Sequence, residues 1–285
     1  MVNLRKKRYG IDIDGERVRI AGRTLAAGRE AVDTIIDVEV DRLDENIIDR
    51  EAELYLAVSE SDAIIKRVDV ISDRSLDPDR LAQFELAASL LDDPGRYYLE
   101  SCESDRTDGR IAIAYDRSLV DGEVALVQEK LIKPSGFKLR SMALALGYLH
   151  YCRQEGGALI ALVDICPGRA SFCLLRGHSP VDIGLVTDDS AARDNADSTS
   201  CRALLTDLAA TIRYRLGRSS GSRQDVPLSL VLLSGSMADD NLAAEAEAIL
   251  RVKTKLPTVK RELFADDTSV NAEKYLACLG LTVDY

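Results

Sequence analysis

The 285-residue chain has few of the residues that build metal centres and disulfide scaffolds. It contains two histidines, far apart in sequence, and six cysteines with no CxxC pair. A zinc site, a histidine-based catalytic triad and a disulfide framework are therefore not expected, and we interpret the cysteines as reduced and mostly buried. Glycine (18 residues) and proline (7 residues) are too sparse for a fibrous or low-complexity chain.

Long apolar runs and a basic excess are also missing. No stretch approaches about 18 uncharged apolar residues, so no membrane span is predicted. The opening MVNLRKKRYG has a basic run without an apolar segment behind it, which argues against a secretory signal. We interpret this run as a solvated tail, with weak attraction to anionic lipid as the alternative. Acidic residues outnumber basic ones by 11 (48 against 37), which argues against nucleic-acid binding through phosphate neutralisation.

The remaining composition is that of a folded chain, with 46% hydrophobic and 30% charged residues. Its length suggests roughly two domains or one large one. The pattern predicts two similar halves, each opening with three short strands and later reaching a helix. These strands are 9–13, 17–21 and 31–40, and then 159–165, 170–175 and 181–186. Between them, the pattern predicts a strand pair (54–58 with 63–70) and a helix capped by Asp77.

Three turns of special composition follow apolar strands, at residues 12–15, 164–168 and 233–236. Strand ends are where ligands bind in many α/β proteins. A purely structural role is equally open, because Asp12 and Asp164 could simply cap neighbouring N–H groups. Glycines at these turns are expected with or without a ligand. We interpret Cys166 and Cys173 as core residues rather than a redox pair, and His150 as a packing residue.

The order of these motifs resembles that of the actin-like ATPase superfamily and, within it, the PilM family of type IV pilus assembly proteins. The motifs are GIDIDG at 10–15, DICPGRAS at 164–171, LSGS at 233–236 and CLGLTV at 278–283. The resemblance implies an α/β, actin-like (ribonuclease H-like) two-lobed fold with an inserted small α/β subdomain. Residues 1–50 would form the leading strands of the first lobe, 51–133 the insert, and 134–285 the remaining first lobe and the second lobe.

The resemblance also implies a candidate ATP/Mg²⁺ cleft. In the family, two glycine-rich hairpins meet the phosphates, a third glycine turn lies against adenosine, and strand-end carboxylates hold Mg²⁺ through water. The corresponding residues here are Asp12, Asp14, Gly15, Asp164, Gly168, Ser171, Gly235 and Ser236.

This sequence departs from the family pattern at all three turns. Asp14 stands where glycine is usual, and its repulsion of a phosphate at ~4 Å would cost about 4 kcal/mol unless Arg17 or Arg19 offsets it. Pro167 removes one N–H donor, and Ser236 replaces a glycine. Thr211 stands where the family often carries Glu. We therefore predict a degenerate site with no catalytic residue, no resident metal and no cofactor, in which ATP with Mg²⁺ binds at most with low affinity.

The resemblance implies a cytoplasmic scaffold at the inner-membrane face that docks the N-terminal cytoplasmic peptide of a PilN-like inner-membrane protein. The peptide groove would lie between the first subdomain and the insert, with residues 54–70 and the following helix as its wall. Two alternatives stay open. One is an active ATPase or kinase of the same superfamily. The other is a GspL-like cytoplasmic domain of type II secretion or another actin-like cell-division or polymer protein. Homo-oligomerisation is left open.

Overall fold

The structure is a computed structural model that describes residues 6–26, 28–70, 77–105, 109–156, 159–188, 198–219, 227–265, 268 and 271–283. Its main elements alternate between strands and helices along the chain. The strands are β1 (Lys6–Asp14), β2 (Arg17–Ala26), β3 (Arg29–Glu39), β4 (Glu53–Val58), β5 (Ala63–Asp69), β6 (Tyr97–Glu103), β7 (Gly109–Asp116), β8 (Gly136–Leu139), β9 (Ile160–Cys166), β10 (Arg169–Arg176), β11 (Ser179–Thr187), β12 (Leu230–Ser234) and β13 (Thr254–Lys255). The helices are α1 (Pro78–Ser89), α2 (Arg117–Lys130), α3 (Arg140–Tyr151), α4 (Ser198–Ser219), α5 (Asp240–Leu250) and α6 (Leu276–Leu281).

Two five-stranded sheets with the same topology form the two lobes. The first has the order β3-β2-β1-β4-β8 and the second β11-β10-β9-β12-β13. In each sheet an antiparallel three-stranded meander is extended by two parallel strands. The two predicted meanders therefore belong to separate sheets, and the predicted two-lobed actin-like fold is confirmed.

The predicted pairing of residues 54–58 with 63–70 is wrong. β4 pairs in parallel with β1 and β8 inside the first sheet, whereas β5 pairs with β7. The reason is burial, because Leu54, Leu56 and Val58 are fully buried and neighbouring Ala57 on the opposite face is buried too. A strand buried on both faces is suited to the middle of a parallel sheet rather than to a hairpin.

A separate three-stranded sheet of order β5-β7-β6 lies within the predicted insert. Its central strand alternates between two cores. Ala112 and Ala114 of β7 share a core with Leu86 of α1, whereas Ile111 and Ile113 share the large core that includes Val120 of α2. The two helices therefore cover opposite faces of the sheet. α2 also contacts the first lobe, because its residue Val127 lies in the core of the first sheet.

Local sequence signals account for most helix boundaries. Asp77 accepts a hydrogen bond from the Asp79 N–H at the start of α1, with Pro78 in the first turn, as predicted. The amphipathic pattern of the sequence predicts that this helix continues to Asp92, but α1 ends at Ser89. The polar stretch 188–200, whose composition predicts a loop ending in a helix cap, lies mostly outside the described residues, which resume at α4.

The basic run near the start is not a solvated tail where the structure describes it. Lys6, Lys7 and Arg8 belong to β1, and Arg8 is buried with its Nη2 2.6 Å from Glu53 Oε2. Lys7 Nζ lies 3.3 Å from Asp33 Oδ1. These residues are therefore committed to ion pairs within the first lobe, and Arg5 lies outside the described residues.

The structure confirms the other packing interpretations. Cys166 and Cys173 are free, buried core residues. His150 packs at the end of α3 with its Nε2 2.6 Å from Glu30 Oε1. Within the described ranges, no helix has the length and apolarity needed to cross a membrane.

Candidate functional site

The ends of β1 and β9 meet between the two lobes, as the motif order implied. Asp12 of β1 and Asp164 of β9 are both fully buried. A single guanidinium joins them, because Arg19 Nη2 donates to Asp12 Oδ2 and, at 3.1 Å, to Asp164 Oδ2. Arg19 lies on β2 directly opposite Asp12 in the hairpin register. The structure therefore brings the two strand-end carboxylates together, with a cation of the chain between them.

A second buried arginine completes this charge cluster. Arg140, the first residue of α3, donates from Nε to Asp12 Oδ1 at 2.7 Å and from Nη2 to the carbonyl of Ile13 at 3.1 Å. Arg19 also donates from Nη1 to the carbonyl of Lys274 at 2.9 Å, just before α6. Two buried arginines thus face two buried aspartates, so their charges balance within the protein.

The two carboxyl groups differ electrostatically. Burial alone would raise the pKa of Asp12, but the neighbouring Arg140 and Arg19 outweigh it and hold the pKa below its usual value. Burial raises the pKa of Asp164, with a further contribution from the charge of Asp12, and Arg19 does not fully compensate. Asp12 is therefore the firmly ionised member of the pair.

The tips of the two hairpins are also joined by an ion pair. Gly15 and Gly168 adopt positive φ angles of 59° and 71°, as two-residue hairpin turns require. Asp14 accepts a hydrogen bond from Arg169 Nε at 2.9 Å, across from one lobe to the other. Arg169 is therefore the direct ion-pair partner of Asp14. Arg17 pairs with Asp37 instead. Burial raises the pKa of Asp14, whereas the charge of Arg19 does act on this carboxyl group to lower its pKa, as expected.

Ser171 is used internally as well. Its hydroxyl donates to Glu60 Oε2 at 2.6 Å, and Glu60 Oε1 accepts from the Ser141 N–H at 2.7 Å in the first turn of α3. Glu60 is buried and lies between β4 and β5. A carboxylate from the first lobe therefore satisfies both the α3 N-terminus and the second-lobe hydroxyl.

The third turn is shaped by packing. Gly235 has a φ of 96°, and a Cβ there would lie 2.3 Å from the carbonyl oxygen of Ile165. The glycine is thus required by the close approach of this turn to β9, whether or not a ligand binds. Ser234 donates to the carbonyl of Glu273 at 2.6 Å, and Ser236 is partly exposed in the turn.

Three residues of this site were missed by the sequence reasoning: Glu60, Arg140 and Arg169. Arg169 stands within the DICPGRAS motif, so its place at the hairpin tip was available from the sequence. Glu60 and Arg140 stand at the junctions of β4 with β5 and of β8 with α3, where no local motif marks them.

The donor set does not fit a hydrated Mg²⁺ with a nucleotide. Guanidinium groups already hold Asp12 and Asp164, and a cation placed there would be repelled by Arg19 and Arg140. Within the part of the chain that the structure describes, no group of three or more His, Cys, Asp or Glu side chains is placed to hold a metal ion. Three buried polar atoms of the cluster have no partner among the described residues, namely Asp164 Oδ1, Arg19 Nε and Arg140 Nη1. These atoms are suited to ordered water rather than to a metal.

Glu123 of α2 is a further perturbed carboxyl group near this cluster. Burial raises its pKa to about 7, and the charge of Asp62 contributes. Its Oε2 is buried and has no partner among the described residues. Between pH 4.5 and about 7 the folded protein therefore holds a proton that the unfolded chain releases.

We expect a pH-dependent stability effect from Glu123→Gln. The stabilisation contributed by the protonated Glu123 is lost progressively as the pH rises from 4.5 to about 7, whereas glutamine stays neutral. At pH 8 the variant should be more stable by on the order of 2 kcal/mol, and at pH 5 the difference should be small. Urea denaturation at both pH values measures this, with Glu129→Gln on the exposed side of α2 as control. An equal effect at pH 5 and pH 8 would contradict the assignment.

Comparison with solved structures identifies the fold of this chain, whereas comparison of its sequence identifies no family. No protein-family model matches the sequence, and no curated protein matches it. The structure is similar to a chain of the PilM–PilN type IV pilus biogenesis complex, with a TM-score of 0.71 and 15% identity over 96% of this chain and 97% of that one.

Two further solved structures are similar. One is the cytoplasmic domain of EpsL, an inner-membrane component of the type II secretion system of Vibrio cholerae. Its TM-score is 0.54, with 11% identity over 98% of this chain and 97% of that one. The other is a Bacteroides thetaiotaomicron protein with an actin-like ATPase fold and unknown function. Its TM-score is 0.48, with 8% identity over 96% of both chains.

At these identities the likeness is one of fold. The likeness extends over nearly the whole of this chain and of its neighbours, so all three sheets of this chain lie within the part that is similar. The chain has the two-lobed actin-like ATPase fold, and its overall structure is PilM-like.

Proposed function

We propose that this protein is a cytoplasmic, actin-like scaffold of a type IV pilus inner-membrane assembly platform. The observation that supports it most is the fold likeness to the PilM–PilN complex at a TM-score of 0.71. The likeness to the EpsL cytoplasmic domain is of the same kind but weaker, at 0.54, so a type II secretion scaffold is the second candidate. In either case the protein would act by holding partners at the inner-membrane face.

The proposed partner is the N-terminal cytoplasmic peptide of a PilN-like membrane protein. The proposed groove lies between the first sheet and the insert, where α2 contacts both. The sequence led us to expect α1, the helix after residue 70, as part of the wall. We propose α2 instead, because α1 covers the other face of the insert sheet. Two leucines one heptad apart on α2, Leu119 and Leu126, remain 48% and 38% exposed. Residues seven apart share a helix face, so they form one exposed apolar stripe on α2. Such a stripe suits the apolar side chains of a bound peptide.

We expect the peptide to bind with a dissociation constant of roughly 1 μM, about −8 kcal/mol. Leu126→Asp should weaken binding at least about tenfold, since a buried carboxylate would replace an apolar contact. Isothermal titration with the N-terminal peptide of a PilN-like protein measures both constants.

Phe84→Asp is the matched control. Phe84 is 68% exposed on α1, which covers the opposite face of the insert sheet, and its replacement should leave binding unchanged. No binding of the unsubstituted protein at ~1 mM peptide would reject the proposed partner. Equal losses in the two variants would reject α2 as the wall of the groove.

We also propose that the nucleotide site is degenerate. Arginines neutralise Asp12 and Asp164, and Ser171 is committed to Glu60. Pro167 offers no N–H to a phosphate, and Ser236 adds a side chain at the third turn. The repulsion expected from Asp14 is reduced by Arg169, which is the observation that favours the rival reading of an ATP-binding enzyme.

We expect Mg²⁺-ATP to bind with a dissociation constant weaker than about 1 mM, with negligible hydrolysis. Asp14→Gly should improve binding by about 1 kcal/mol, roughly fivefold, because it removes a carboxylate and frees the Arg169 guanidinium for a phosphate. Calorimetry decides this, with Asp41→Asn, an exposed and equally charge-changing substitution, as control. A dissociation constant near 10 μM for the unsubstituted protein would favour the ATPase alternative.

A further inference from the structure

Charged side chains of the protein itself lie between the two lobes, at the positions where a bound cation and a bound anion would otherwise be expected. Arg19 stands between Asp12 of the first lobe and Asp164 of the second, and all three side chains are almost completely buried. Two carboxylates facing one cleft would otherwise repel each other. The guanidinium is therefore the cation that allows the two strand ends to approach.

Glu60 has the corresponding role for anion-binding groups. The first turn of α3 has no side-chain cap from Leu139, and its Ser141 N–H is bound by Glu60 Oε1. The other oxygen of Glu60 accepts from Ser171 of the second lobe. A helix N-terminus and a hydroxyl group are typical anion-binding groups. Here a carboxylate of the chain occupies them and bridges the lobes.

We propose that these charged side chains of the chain itself hold the two lobes in the arrangement seen in the structure, so that this arrangement does not depend on any bound nucleotide or metal. Among the described residues, Arg19–Asp164 and Glu60–Ser171 are the most deeply buried polar links between the lobes. Asp14–Arg169, whose side chains are 13% and 15% exposed, is a third. Arg176, which pairs with Asp105 of the insert, is 45% exposed, and exposed pairs contribute little. The buried polar links add to the hydrophobic core that the two lobes share. This inference goes beyond the proposed function and does not depend on the partner.

The experiment measures the distance between the lobes directly. Spin labels are placed on two exposed residues, Asp41→Cys in the first lobe and Ala244→Cys on α5 in the second, after Cys102 and Cys201 are changed to serine. Pulsed electron paramagnetic resonance gives the distance distribution with and without 10 mM Mg²⁺-ATP. This concentration is about tenfold above the lower limit of about 1 mM expected for the dissociation constant. The expected result is one narrow distribution that nucleotide does not shift.

The double variant Asp164→Asn/Ser171→Ala removes the second-lobe side of both links and leaves the Asp12 pairs intact. Its distribution should broaden or move to longer distance by on the order of 5 Å. Ser229→Ala, which removes a hydroxyl hydrogen bond to Leu159 within the second lobe, is the control and should not change the distribution.

Two outcomes would overturn the proposal. One is a broad distance distribution, in the labelled protein without cleft substitutions, that narrows when Mg²⁺-ATP is added. This would show that the ligand is needed to fix the arrangement of the lobes. The other is a double variant that is folded by circular dichroism yet has the unsubstituted distribution. If the double variant does not fold, Ser171→Ala and Asp164→Asn are measured singly, and unsubstituted distributions in both would overturn the proposal.

Discussion

Replacing Arg140 by methionine is expected to lower the free energy of unfolding by about 3–5 kcal/mol. Arg140 Nε is the donor to Asp12 Oδ1, and both side chains are almost completely buried. Removing the guanidinium leaves a cluster with two aspartates and one arginine, so a buried negative charge is uncompensated. Such a charge cannot be hydrated without opening the cleft. Urea denaturation followed by circular dichroism measures the loss.

The double variant Asp12→Asn/Arg140→Met separates this effect from lost packing. It leaves Arg19 with Asp164, which is a balanced pair, so the loss should be clearly smaller than in the single variant. Arg17→Met is the surface control, because Arg17 is 53% exposed and its pairing with Asp37 should be worth about 0–1 kcal/mol. A loss in Arg140→Met no larger than in Arg17→Met would contradict the buried charge cluster as described.

Gly147→Ala is expected to destabilise the fold by about 3 kcal/mol. A Cβ at Gly147 of α3 would lie 2.0 Å from the carbonyl oxygen of Leu276 in α6, and this neighbour is backbone. The two helices would have to move apart, which would disturb the core that they share beneath both lobes. Thermal and urea unfolding of the variant measure this loss.

Gly122→Ala tests whether the effect belongs to the contact and not to the substitution. Gly122 is also in a helix, and a Cβ there would have no neighbour within 4 Å. Alanine is favoured over glycine in helices, so this variant should be neutral or more stable by about 0.5–1 kcal/mol. Similar unfolding midpoints for the two variants would show that α3 and α6 are not closely packed.

Local patterns predicted the strands and turns of the two lobes well. The meanders, the Asp77 cap and the glycine turns at 15 and 168 follow from alternation, capping and positive φ, which depend on neighbours in sequence. Pairing between strands was less predictable. The short polar turn after residue 58 suggested a hairpin, but β4 is buried on both faces and pairs with β1, more than 40 residues earlier.

In the candidate site, too, the positions of residues along the chain were predictable, whereas their contacts with distant residues were not. Asp12 and Asp164 were placed at the cleft because their motifs follow apolar strands, and the structure brings them to one guanidinium. The partners of these carboxylates and of Ser171 were not predictable. Arg140 is 128 residues from Asp12, and Glu60 is 111 residues from Ser171.

The two similar halves, the turns at their strand ends and the acidic residues at those turns could all be inferred from the sequence. The compensation of Asp12 and Asp164 by Arg19 and Arg140, and the bond from Ser171 to Glu60, became visible only in the folded structure. This difference arises because strands and turns are set by interactions over a few residues. A buried ion pair forms only where packing brings two distant side chains together and removes them both from water.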